Sequence, residues 1–186
     1  MTTPGADAWV FDTGPLRHFA LSGWLGVLKF LAGGRPVLMP DVVERELRRQ
    51  TEEVRAVGQV LDADWIHVFS SSDPSYMAKF AGYARRLVAD GKNEGECGVL
   101  AMGATFGSEM VIDDSTPREI AETEGLRVTA TVPILCDAIR AKQLTLSMVE
   151  HVADELLANE YYLPFGPGGF RRHVLEHGLL DYDETT

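Results

Sequence analysis

Cysteine is nearly absent from this chain. Cys97 and Cys136 are the two among 186 residues, and no CxxC or Cys/His spacing surrounds either. That argues against a disulfide framework and a thiolate zinc site, and reads as two buried free thiols in a reducing compartment. Long apolar runs are missing too, since nothing approaches the roughly 20 residues that a membrane-spanning helix needs. The opening Met1-Thr2-Thr3-Pro4-Gly5 has neither a basic nor an apolar region, so no secretory signal is expected and the cytoplasm is the expected location. The glycine-rich stretch from Gly91 to Gly95 lacks the GxxxxGK[ST] pattern of a phosphate-cradling loop. Bases are scarce, with 17 Lys and Arg against 28 Asp and Glu and a net charge of −11. A protein that held nucleic acid by its surface field alone would show the opposite balance. The excess is uneven: residues 150–186 carry eight acids against Arg171 and Arg172. Four or five of the remaining acids belong to one candidate site, where bound divalent ions would offset them, so a nucleic-acid substrate stays open.

What is present describes a globular domain with a full core, 45% hydrophobic and 24% charged. Strand and helix patterns alternate, which predicts α/β architecture around a parallel sheet of about four or five strands, in three α/β/α layers. The strand candidates are Trp9–Phe11, Pro36–Met39, Trp65–Phe69, Met110–Ile112 and Arg127–Ala130. The first helical pattern runs from about Pro15 to Leu31. The second starts at Asp41, a candidate cap with Glu44 as capping-box partner. Asp73-Pro74 opens a third, with Asp as cap and Pro at the first helical position, stopping near Asp90-Gly91. A helix rich in small residues spans about Glu96–Phe106, which predicts close packing on a neighbour. A short helix follows at Thr116-Pro117, then helices at Val132–Lys142 and Ser147–Tyr162 and a last amphipathic piece at Phe170–Leu180.

Chemistry is carried by carboxylates. Asp12 closes the first strand just where the chain turns, the place where open α/β sheets bind ligands, although a helix cap there is an equal reading. Glu46 shares a helix face with Val42, Val43 and Leu47 through i+3 and i+4 spacing, and an acid inside an apolar stripe is costly to bury without a cation or a donor. Glu96 repeats this ahead of Val99 and Leu100, with interaction with the helix dipole as its bland alternative. Glu94 lies nearer the loop and ranks below it. Asp113-Asp114 end the fourth strand; a cap needs one of them, and Asp114 is the choice for a ligand. In right-handed βαβ units all these positions face one sheet edge. Clustered carboxylates repel, so the site should be strained or partly protonated without metal. An all-oxygen set selects Mg²⁺ or Mn²⁺ over zinc. Among the histidines only His173 and His177 have a ligand-like spacing, and a solvated or core role suits them better. A haloacid-dehalogenase phosphatase wants a second Asp where Gly14 stands, and a receiver domain wants a late Lys that is not evident.

The runs Val10-Phe11-Asp12-Thr13-Gly14-Pro15-Leu16, Met39-Pro40-Asp41-Val42-Val43-Glu44-Arg45-Glu46-Leu47, Gly95-Glu96-Cys97-Gly98-Val99-Leu100-Ala101 and Val111-Ile112-Asp113-Asp114, closed by Gly125-Leu126-Arg127-Val128-Thr129-Ala130-Thr131, together resemble the PIN-domain family over roughly residues 8–145. The resemblance implies a metal-dependent endoribonuclease, with many bacterial members being VapC-like toxins paired with an antitoxin. It assigns Asp12, Glu46, Glu96 and Asp114 as the acidic quartet, leaves Asp113 open beside Asp114, and permits Glu94 as an outer partner. Thr13 or Ser115 would position water or a phosphate oxygen, and Lys92 or Arg118 would neutralise developing charge. The expected partners are RNA, a cognate antitoxin and a second copy of the chain, with no membrane. A catalytically weak PIN fold kept for binding protein or RNA is the alternative. Residues 1–146 are expected to form the nuclease domain and 147–186 a helical extension.

Overall fold

The computed structural model of the chain describes residues 4–88 and 93–185. Five short strands, β1 (Trp9–Phe11), β2 (Val37–Pro40), β3 (Ile66–Phe69), β4 (Glu109–Val111) and β5 (Val128–Thr129), form one sheet in the order β3-β2-β1-β4-β5. Every pairing is parallel. The helices are α1 (Thr13–Leu21), α2 (Leu25–Ala32), α3 (Asp41–Thr51), α4 (Gly58–Leu61), α5 (Pro74–Leu87), α6 (Glu94–Phe106), α7 (Ser115–Thr123), α8 (Thr131–Arg140), α9 (Leu146–Ala158) and α10 (Phe170–Glu176). They cover the sheet in the three-layer arrangement expected. The chain winds outward from β1 through β2 to β3, then crosses back to place β4 on the other side of β1. The switch point of the sheet therefore lies between β1 and β4, beyond whose carboxyl ends ligands of open parallel sheets bind. Asp12 and Asp113-Asp114 follow those two strands directly.

Apart from Glu109 at the start of β4, the central strands are apolar because both faces are covered: Val10, Phe11, Met110 and Val111 are fully buried. The same core takes in Val149, Leu156, Phe170 and Val174 from beyond residue 146. Small residues on α6 do what their spacing predicts. A Cβ on Gly98 would stand 2.6 Å from Val42 and 2.9 Å from Pro40, so α6 is seated directly on the start of α3.

Several boundaries differ from the sequence reading. The helix expected over Pro15–Leu31 is two, because Gly23 adopts φ +74° and its N–H donates to Ala20 O while Trp24 N–H donates to Phe19 O, closing α1 in a left-handed turn. Asp41 does not cap α3. Pro40 holds that position, and Asp41 and Glu44 instead accept from Arg45 and Arg48, each one helical turn on, at 2.9 and 2.6 Å. Asp73 caps α5 as expected, accepting from the N–H groups of Ser75 and Tyr76. The stop expected at Asp90-Gly91 lies outside the described residues. The helix read over Ser147–Tyr162 ends at Ala158, and Glu160, at φ +62°, turns the chain so that Tyr161 enters the site described below.

Candidate active site

Asp12 occupies the cap position of α1 in extended backbone and is 6% exposed. Its Oδ1 is buried with no hydrogen-bond partner. Buried carboxylate oxygens without a donor are costly and rare. Burial pushes the Asp12 pKa well above the ordinary value, and repulsion from Glu96 and then Glu46 adds to it. The N–H groups of Thr13 and Gly14 pull it partly back, although no side-chain hydrogen bond caps α1.

Glu46 reaches this point from α3, whose Val42, Val43 and Leu47 are buried on the adjoining face. Its Oε2 accepts from Thr13 Oγ1 at 2.5 Å and its Oε1 from the Gly95 N–H at 3.0 Å. Gly95 lies within α6, which starts at Glu94, two residues earlier than expected. A Cβ there would stand 2.9 Å from Glu46 Oε2, 3.1 Å from Asp12 Oδ1 and 3.2 Å from Thr13 Oγ1. Three oxygens, from Asp12 just after β1, from α1 and from α3, thus converge on one point, and only a glycine lets α6 approach it. Glu96, half-buried on the next position, is raised by burial; its own N–H lowers it, and Glu46 and Asp114 raise it again. The four acids Asp12, Glu46, Glu96 and Asp114 therefore form one repelling group.

The two acids after β4 divide their work. Asp113 is consumed by the protein: Oδ1 accepts from Thr131 N at 2.8 Å, and Oδ2 accepts from Thr131 Oγ1 at 2.6 Å and from the Tyr161 hydroxyl. Asp114 is exposed, accepts a long 3.4 Å bond from Thr116 N at the start of α7, and lines the cavity. That cavity, about 890 Å³, is lined by Asp12, Thr13, Glu46, Glu96, Asp114 and Ser115 at its acidic end. Arg118 stands on its wall, donating to Asp113 O at 3.3 Å and lying 4.0 Å from Glu122. Glu94 is not among its lining residues, and Lys92 lies outside the described residues.

Gly95, Thr131, Tyr161 and His18 were not singled out by sequence. Gly95 was legible only as the end of the glycine-rich Gly91–Gly95 stretch and the first residue of the run Gly95–Ala101. Tyr161 fell inside the helix expected over Ser147–Tyr162, which gave it no separate mark, and its ring stacks on His18 at 4.5 Å. Burial and then Arg17 lower the His18 pKa, so this imidazole brings no positive charge to the cavity at neutral pH.

Among the described residues, no three His, Cys, Asp or Glu side chains stand close enough to grip an ion as placed. The chemistry of the set nevertheless fits a hard divalent cation: every donor is oxygen, Asp12 Oδ1 has no other partner, and two carboxyls are raised by burial and mutual repulsion that a cation would relieve.

Neither a curated protein nor a solved structure matches the chain. The sequence family described as a PIN domain matches residues 8–166. PIN domains are generally nucleases and generally use divalent metals. The match runs from β1 through α9 to Tyr161 and beyond, enclosing the whole acidic end of the cavity, and the chain belongs to the PIN-domain family.

Proposed function

We propose that this protein is a metal-dependent endoribonuclease in which Asp12, Glu46, Glu96 and Asp114 hold Mg²⁺ or Mn²⁺ and present it to an RNA phosphodiester. The observation that carries this reading is the buried, partnerless Oδ1 of Asp12 set among carboxyls that repel it. A bound ion supplies charge neutralisation, an acidified water and stabilisation of the leaving oxygen. The protein's own groups do the rest. Thr13 and Gly95 hold both oxygens of Glu46, so its orientation is fixed before substrate arrives. Thr131 and Tyr161 clamp Asp113, which makes it a positioning residue that fixes the end of β4 and so aims Asp114. Arg118 offers a guanidinium to the non-bridging oxygens of the phosphate. Ser115, exposed at the start of α7, is placed to donate to the same group.

Cleavage of a single-stranded oligoribonucleotide with Mn²⁺, with excess chelator, and by Asp12→Asn tests the reading. Activity is expected only for wild type with metal. Cleavage that survives both chelator and the substitution would end it. The finer reading, a toxin held by a cognate antitoxin in the cytoplasm, predicts that expression arrests growth and that Asp12→Asn abolishes the arrest. Normal growth under expression of a protein that cleaves RNA in vitro would refute the toxin role alone.

A further inference from the structure

The cavity is far larger than an ion site. A divalent ion with a full shell of water, at about 30 Å³ per molecule, fills about 200 Å³, against about 890 Å³ available. Away from the carboxylates its lining is largely apolar, with Val128, Val132, Pro133, Leu163 and Pro164 joined by the exposed Tyr162 and by Glu160. Tyr162 is 87% exposed, while its neighbours Tyr161 and Leu163 are 7% and 5% exposed. Tyr161 is further tied down by Asp113, Thr131 and the His18 ring. The strap is therefore pinned on both sides of Tyr162, and an aromatic ring is held out in solvent at the edge of the cavity.

We propose that this apolar end is a stacking site for one unpaired nucleobase of the strand being cut, with Tyr162 as its platform. The inference rests on the nuclease reading and names how that site holds its substrate. Charge argues for it. The chain carries −11, and Arg118 is the one Lys or Arg among the described residues lining the cavity. Phosphate contacts therefore supply little ground-state affinity, and binding has to come from a part of the nucleotide that is uncharged and flat. A base offers an aromatic face, stacks on Tyr whatever its identity, and is available when the strand is unpaired. The acidic and apolar ends share one cavity, so a base on Tyr162 belongs to a nucleotide near the phosphate at Asp12.

The test uses the full chain in two arms. In steady-state cleavage with Mn²⁺, Tyr162→Ala is expected to raise KM roughly tenfold, with a smaller effect on kcat, and Tyr162→Trp to keep the wild-type KM. In fluorescence anisotropy, Asp12→Asn protein binds single-stranded oligoribonucleotides carrying one abasic site at successive positions. One position is expected to weaken binding roughly tenfold, and adding Tyr162→Ala to weaken that oligonucleotide no further, the mark of a coupled pair. An unchanged melting temperature and Mn²⁺ affinity in Tyr162→Ala exclude a folding defect. If wild type cleaves and Tyr162→Ala matches its KM, the stacking site is wrong and the nuclease stands; a Tyr162 that serves a protein partner gives this result. If wild type does not cleave, the nuclease reading falls, and the anisotropy arm still decides: coupling supports the base site, and its absence overturns it.

Discussion

Gly95→Ala separates stability from function because the two effects have opposite signs. In a helix interior the change from Gly to Ala stabilises by about 1 kcal/mol, and by less near the N-terminus, where Gly95 sits. The new methyl carbon, however, would stand 2.9 Å from Glu46 Oε2 and 3.1 Å from Asp12 Oδ1. Glu46 is the far end of a flexible side chain and can swing away, but only by giving up its bonds from Thr13 and Gly95. Hydrogen bonds to a charged group are worth about 1.5–3 kcal/mol when left unmade. Water in the open cavity replaces much of that, leaving a net cost of about 1 kcal/mol, which the helix gain offsets. The melting temperature is thus expected to stay within a few degrees of wild type. Mn²⁺ affinity, measured by titration calorimetry, is expected to fall at least tenfold, about 1.4 kcal/mol. Gly82→Ala on α5 is the control, since a Cβ there meets nothing within 4 Å. It should stabilise by up to about 1 kcal/mol and leave metal binding alone. A Gly95→Ala protein that binds Mn²⁺ and cleaves RNA within twofold of wild type would refute the convergence of oxygens on this point.

Asp12 and Glu109 predict opposite pH dependences. The folded pKa of Asp12 is raised, so in chelator its ionisation destabilises the fold as pH rises from the ordinary carboxylate range through the higher folded value. Denaturant unfolding of wild type and Asp12→Asn should diverge with rising pH, the variant becoming relatively more stable; parallel profiles would contradict this. Glu109 is buried enough to be pushed up, but bonds from Arg35 and Trp9 and the charge of Arg127 win and lower its pKa. Its contribution is present above the ordinary glutamate range and lost as pH falls through the lowered folded value. Glu109→Gln should therefore cost about 1 kcal/mol at neutral pH, discounted for solvent screening, with the gap closing in acid; a constant gap would count against the assignment. Gly103→Ala forces a methyl group into the buried Met110 side chain, and thermal unfolding should show about 1–3 kcal/mol of destabilisation, whereas an unchanged melting temperature would place α6 wrongly against β4.

Much of this arrangement was legible because period and position carry it. An acid at the end of an apolar strand, and acids in register with Val42, Val43 and Leu47 or ahead of Val99 and Leu100, can be read from spacing alone, and the structure brings those residues to one cavity. The partition of Asp113 and Asp114 was not legible. It depends on Thr131 and Tyr161, 18 and 48 residues further on, and nothing local marks either as a partner. Gly95 was hidden for a related reason: a glycine next to a loop reads as flexibility, while its use here is close approach inside a helix. The break at Gly23 was missed because apolar spacing continues through Trp24, Leu25 and Leu28, so the pattern of one long helix survives a turn that only the left-handed φ reveals.

The most direct test of the central claim is a crystal of the protein grown with Mn²⁺ and measured at the manganese absorption edge. The account predicts anomalous density bounded by Asp12, Glu46, Glu96 and Asp114, with Asp12 Oδ1 as a ligand and Asp113 still bonded to Thr131 and Tyr161. Manganese bound elsewhere, or no ion at saturating Mn²⁺ with Asp12 Oδ1 still without a partner, would contradict it.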